Sequence, residues 1–263
     1  LSLTAGRAFA LCQGEDGGGG LVTEISEGDT LILEDGRAVR PTGIIGPKRA
    51  RGGPSSEARL AMETAMSGLV LGKKIALRLD QRKRDRYGRM LAQVMILGDG
   101  APVWLQGKLV EAGLARVISF PENRLCVAEL LAKEEESRAA QRGLWKSGFF
   151  AVRQAQAQDV LATLAQSYEI VEGRVSTVKE SRGRTYINFG QDWRQDFTVF
   201  ISEKSAGAFA GTGTEAPERE LKPAELTGRR VRVRGWIKNF NGPSISVSHP
   251  EQIEILDSVA AIR

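Results

Sequence analysis

A single histidine and two cysteines in 263 residues leave little room for several familiar chemistries. A His–Cys zinc site, a Ser-His-Asp triad or an Fe–S cluster each needs groups that this chain does not hold. No uncharged apolar run reaches the roughly 18–20 residues of a membrane-crossing helix, which argues against membrane insertion. What is abundant is charge. Lys and Arg number 37 against 32 Asp and Glu, a net charge of +5, and charged residues make up 26% of the chain. With 41% hydrophobic residues the composition is that of a folded chain. Its length suits two domains of ordinary size.

Residues 1–20 read as the remnant of an export signal followed by a flexible lead-in. LSLTAGRAFALCQ holds a short apolar stretch and then Ala8-Phe9-Ala10, the small-x-small form of a cleavage site. Gly14 to Gly20 is glycine-rich and unstructured by composition. The expectation is an exported protein of bacterial type, periplasmic or extracellular. An oxidising compartment would let Cys12 and Cys126 pair. The other reading makes Cys126 a small buried residue in LCVAELLA. The sequence leaves both open.

From residue 21 the periodicity predicts strands over LVTEI and DTLIL, a turn at Glu34–Arg37, and a third strand from Ala38 to Ile45. A loop over 46–54 precedes a helix from Ser55 to Leu71. KKIALRLD (73–80) and RMLAQVMI (89–96) alternate as strands. Helices are expected over Val103–Ala112 and Glu122–Gln141. A connecting helix or linker fills 147–167. From Tyr168 the texture changes to short strands, with turns at Arg182-Gly183 and Asn241-Gly242. Ser205–Glu225 reads as a loop. The expected domains are 21–146, α+β, and 168–257, mainly β.

One order of motifs is specific. Glu27-Gly28-Asp29-Thr30-Leu31 is followed by Val39-Arg40, Gly43-Ile44, Pro47 and then Asp85-Arg86-Tyr87-Gly88-Arg89-Met90-Leu91-Ala92. Leu109-Val110-Glu111-Ala112-Gly113-Leu114-Ala115 and Arg142-Gly143-Leu144-Trp145 come after. Over residues 21–146 the chain resembles the staphylococcal nuclease (thermonuclease) family. The resemblance implies a five-stranded OB barrel with three helices and a calcium-dependent phosphodiesterase site. It places Asp29 at the first metal-ligand carboxylate and Arg40 and Arg89 at the two phosphate-binding arginines. Arginine suits that role because its planar fork holds two phosphate oxygens and keeps its charge.

The remaining family positions do not carry over. The second ligand carboxylate falls on Ile45 and the general-base glutamate on Lys48. Glu27 is the nearest acid that could assist a metal beside Asp29. Calcium takes six to eight oxygens, so one retained carboxylate implies weak binding. A protonated lysine cannot take a proton from water.

The positive charge is clustered. Residues 37–51 hold five cations and no acid, and residues 73–89 carry eight against two acids. Lys73, Lys74, Arg82, Lys83 and Arg84 are candidates for a cleft that follows a polyanion. Arg230, Arg232 and Arg234 alternate with Val231 and Val233, and with Tyr186, Phe189, Trp193 and Trp236 they suggest an OB-like second barrel that grips single strands. Here too the aromatic residues could instead be core. The combined expectation is a nucleic-acid-binding protein for single-stranded DNA or RNA with an impaired phosphodiesterase site. The alternatives are a working calcium-dependent nuclease, its metal site rebuilt by Asp29, Glu27 and backbone oxygens, and an envelope module that binds proteins.

Overall fold

The computed structural model describes residues 14–47, 54–209, 221–239 and 241–257. The chain divides into two compact units, Leu1–Phe150 and Ala151–Arg263. Each has its own buried apolar cluster. Among the described residues no helix is long and apolar enough to cross a membrane.

The first unit runs β1 (Glu15–Ser26), β2 (Thr30–Leu33), β3 (Ala38–Pro41), β4 (Ile44–Ile45), α1 (Pro54–Val70), β5 (Lys74–Arg84), β6 (Met90–Ile96), β7 (Val103–Trp104), α2 (Leu105–Glu111), β8 (Arg116–Val117) and α3 (Val127–Ala139). Antiparallel ladders join β2 to β1 and β3, and β5 to β1 and β6. A parallel ladder of β3 on β6 closes the circle. The result is the five-stranded barrel with three helices that the resemblance implies. Strand alternation turns Leu31 and Leu33, Ile75 and Leu77, and Ala92 and Val94 inward. Met62, Met66 and Val70, four residues apart on α1, join that core as one stripe.

Local departures have local causes. The glycine run expected to be a loose lead-in forms the first half of β1, paired with β5 through Gly19–Ala76 and Gly20–Ile75. Glycine permits that approach, because a Cβ on Gly19 would collide with the Ile75 carbonyl oxygen. The strand expected over 38–45 breaks at Gly43, whose φ of +82° lets β4 turn away and pair with β8. The expected helix over 122–141 starts only after Cys126, which sits at φ +63°.

The second unit runs β9 (Val152–Gln154), α4 (Gln158–Thr163), β10 (Tyr168–Arg174), β11 (Thr177–Ser181), β12 (Arg184–Asn188), β13 (Thr198–Ile201), α5 (Glu203–Phe209), β14 (Arg230–Asn239), β15 (Pro243–Val247) and β16 (Ile253–Ile255). Paired strands follow the order β11-β12-β13-β15-β14-β10-β9, with β16 also on β14. That path ends on β11 at one side and β9 at the other, so the sheet is open. The OB-like barrel expected over 168–257 is not formed, and the fold class is corrected accordingly.

The cause lies between β10 and β11. Val175 still donates to the Arg229 carbonyl beside β14, whereas Ser176 donates to Asn188 on β12. The chain changes partner at a covalent corner, and no ladder joins the two ends. A sheet that turns such a corner still encloses a core. Val171 and Val233 from one arm share a cluster with Ile187, Val199 and Ile245 from the other.

Candidate functional site

Three segments of the barrel converge at one end. Leu31 pairs with Val39, and Val39 pairs with Met90. Asp29 and Thr30 at the start of β2, Arg40 on β3 and Arg89 before β6 therefore lie within a residue or two of one another across three strands. The turn that delivers Asp29 needs left-handed backbone at Glu27 and Gly28, with φ of +51° and +82°. A side chain at Gly28 would also collide with the Glu63 carboxylate of α1.

Both arginines reach the same carboxylate. Arg40 Nη2 lies 3.4 Å from Asp29 Oδ2. Arg89 Nη1 lies 3.9 Å from Asp29 Oδ1 and 3.6 Å from Glu27 Oε2. Thr30 links the pair, since its Oγ1 accepts from Arg89 Nη1 at 2.9 Å and donates to Asp29 Oδ1 at 3.3 Å. The two guanidinium groups differ in freedom, for Arg40 is 41% exposed and Arg89 only 13%.

Asp85 fixes Arg89. Its Oδ2 accepts from Arg89 Nε at 2.8 Å, and its Oδ1 accepts the backbone N–H groups of Tyr87 and Arg89 at 2.9 and 3.0 Å. Burial opposes the charge on this carboxyl. The Arg89 guanidinium and the two N–H groups outweigh that cost and hold its pKa below the ordinary aspartate value. The Asp85–Arg89 turn also lifts Tyr87 into solvent. The guanidinium groups of Arg86 and Arg89 lie 4.8 and 5.4 Å from its ring centre.

The carboxylates here do not fit a calcium ion. Calcium asks for six to eight oxygens. Asp29 is engaged by Arg40, Arg89 and Thr30, and Glu27 by Arg89. Among the described residues no group of three or more His, Cys, Asp or Glu is placed to hold a metal. Ile45, at the expected second ligand position, lies on β4 opposite Arg116 of β8 and offers no oxygen from its side chain. Lys48 lies outside the described residues.

The other expected cations separate into groups. Arg82, Lys83 and Arg84 are exposed at the end of β5, where Arg84 pairs with Met90 beside Arg89. Lys83 is paired with Glu15 at 2.6 Å, and Arg84 donates to the Gly88 carbonyl at 2.7 Å. Lys73 and Lys74 are exposed at the opposite end of β5. Ten residue steps of about 3.3 Å separate Lys74 from Arg84, so these lysines do not border the arginine site.

Arg232 and Arg234 correct the sequence reading most clearly. They are 8% and 1% exposed. Arg232 stands opposite Glu172 on β10 and Glu254 on β16, donating to Glu172 Oε1 from Nε at 2.8 Å and to Glu254 Oε2 from Nη1 at 3.4 Å. Arg234 pairs with Glu254 as well. A buried guanidinium held by carboxylates is not available to phosphate. Among the aromatic residues, Phe189 is core against Phe197 and Trp236 packs edge-on against Tyr168, while Trp193 is 51% exposed.

Asp85, Thr30 and Glu63 shape the site and were not singled out from the sequence. The four-residue Asp85-to-Arg89 spacing around Gly88 was the available signal for the first. Cys126 is disulfide-bonded, and the other half of the expected pair, Cys12, lies outside the described residues.

Comparison with known proteins bears on the first unit alone. A family model described as Staphylococcal nuclease homologue matches residues 39–147. That span contains Arg40, Ile45 and Arg89 but neither Glu27 nor Asp29. A thermonuclease of Staphylococcus intermedius is 28% identical over 130 residues, covering 48% of this chain and 75% of that protein. The N-terminal region thus matches the staphylococcal nuclease family by distant homology.

Proposed function

We propose that the first unit binds the phosphate groups of single-stranded DNA or RNA through Arg40 and Arg89, without efficient calcium-dependent cleavage. One observation carries this reading: two guanidinium groups, one on β3 and one in the turn before β6, meet on the carboxylate of Asp29. A carboxylate and a phosphate present similar oxygens to an arginine fork. Arg89 is held in place by Asp85 and Thr30, and the more exposed Arg40 closes on the anion. Asp29 then acts as a built-in competitor that an incoming phosphate displaces. Ile45, which brings no side-chain oxygen to the second ligand position, supports the loss of a metal-activated water. The match to a protein named thermonuclease supports the choice of nucleic acid. The disulfide at Cys126 supports export to an oxidising compartment.

Binding of labelled single-stranded DNA in EDTA, followed across a salt series, tests the proposal. Arg40→Ala with Arg89→Ala is expected to weaken binding more than tenfold and to reduce the salt slope by about 1.4, two contacts at about 0.7 each. Asp29→Asn is expected to strengthen metal-free binding several-fold, because it removes the competing charge. Rapid calcium-dependent cleavage by the parent protein, abolished by Asp29→Ala, would sink this reading and establish Asp29 as a metal ligand.

A further inference from the structure

We propose that the outer face of β11, β12, β13 and β15 is a second nucleic-acid site, where bases of a single strand stack on Tyr186 and Phe200. The ladders set Lys179 opposite Tyr186, Tyr186 opposite Phe200, and Phe200 opposite Ser246. One residue further along, Ile187, Val199 and Ile245 stand in register and are at most 1% exposed. Those three fill the core, so alternation turns Tyr186 and Phe200 to the opposite face. There both rings stay partly exposed, with Cβ atoms about 4.5–5.5 Å apart.

The surroundings select the occupant. Lys179, Arg184 and Lys238 are exposed on the same face, and no carboxylate stands there on the four strands. Toward the β12–β13 loop the face becomes a polar row in which Asn188 and Thr198 are buried, Thr198 donating to Asn188 and Asn188 to Thr177, each at 3.3 Å, so the accessible part of the face is the end that holds the two rings. The loop itself presents Trp193 with the Arg194 guanidinium 4.7 Å from its ring centre. Its acids are engaged within the fold, Asp192 accepting the Arg194 N–H at 3.0 Å and the Gln195 amide at 3.1 Å, and Asp196 the Asp192 N–H at 2.7 Å and the Gln158 amide at 2.8 Å. Flat rings with cations on the same face call for a polyanion with exposed flat faces. A single strand has both, whereas a duplex hides its bases in the stack.

The full chain carrying Arg40→Ala and Arg89→Ala removes the first unit's arginine pair, so that the aromatic substitutions report on this face. Its binding to twelve-nucleotide strands of dT, of U, and of an abasic DNA backbone is read by fluorescence anisotropy. At least one base-bearing strand is expected to bind about tenfold more tightly than the abasic one, and the dT and U arms distinguish DNA from RNA. Tyr186→Ala and Phe200→Ala are each expected to weaken binding about tenfold, while Tyr186→Phe retains it. Lys179→Glu with Arg184→Glu changes only exposed positions, so it tests the charge without disturbing the core, and it is expected to weaken all three strands. Equal affinity for abasic and base-bearing strands, or undiminished binding by Tyr186→Ala, would overturn the proposal. Absence of strand binding in the double-arginine background would overturn it too, and would leave the face to a protein partner.

Discussion

Asp85 and Arg89 show how a single ion pair can position a functional group. Arg89 is mostly buried, so a guanidinium without partners there would bear a desolvation cost. Asp85 offsets it and at the same time sets the direction of the fork toward Asp29. The lowered pKa of Asp85 makes this a pH-dependent contribution. Its stabilisation is fully present above the ordinary aspartate value of about 3.9 and is lost as pH falls through the lower folded value. Asp85→Asn is expected to cost about 1.5–3 kcal/mol at neutral pH, the range for a hydrogen bond to a charged group. It should also flatten the acid limb of the stability curve. Urea melts of both proteins between pH 3 and 7 check this, and parallel acid limbs would assign that limb to other groups. The arginines of β14 show the opposite use of the same residue type. Arg232 is spent on Glu172 and Glu254, and its charge is internal to the fold.

Among the elements, the glycines of the quoted motifs have work that the sequence did not reveal. Gly113 and Gly143 come from LVEAGLA and RGLW, thirty residues apart, yet they lie against each other. Leu144 donates to the Gly113 carbonyl at 2.9 Å. A Cβ on Gly113 would strike the Arg142 carbonyl, and one on Gly143 would strike the Ala112 carbonyl. Both also hold positive φ, +70° and +52°. These motifs therefore mark a close crossing after α2 and after α3, not chemistry. Gly143→Ala is expected to destabilise the first unit by about 1–3 kcal/mol, since it meets both strain and overpacking. Arg40 and Arg89 should keep their phosphate affinity in the fraction that remains folded. Thermal melts with and without a bound oligonucleotide separate the two effects. The site was legible to the extent that the resemblance reaches it: Asp29, Arg40 and Arg89 stand at positions that the family's motifs mark. Thr30 and Glu63 could not, because their roles depend on which turn faces which helix.

For the molecule as a whole, the two units carry separate cores, so each can be perturbed alone. Cys126 lies in the first unit and is disulfide-bonded. Reduction is expected to lower that unit's stability by about 2–4 kcal/mol, the usual contribution of a disulfide, and to leave the second unit's transition in place. Hydrogen exchange with and without reductant resolves the units, and equal loss of protection in both would show that they unfold together. The sequence by itself determined the α+β character of the first unit and the strand-rich character of the second, because alternation and turn glycines are local signals. The closed barrel of the first unit and its arginine pair were implied only by the resemblance to the staphylococcal nuclease family that the order of motifs carries. Only the tertiary structure decided which charges are available. The cations of β14 and of β11–β12 look alike in the sequence, but β14 has β10 and β16 beside it to supply carboxylates, while β11 has a single neighbour. It also decided closure of the second sheet, because whether two ends meet depends on the corner at Val175 and Ser176 and not on any strand's own pattern.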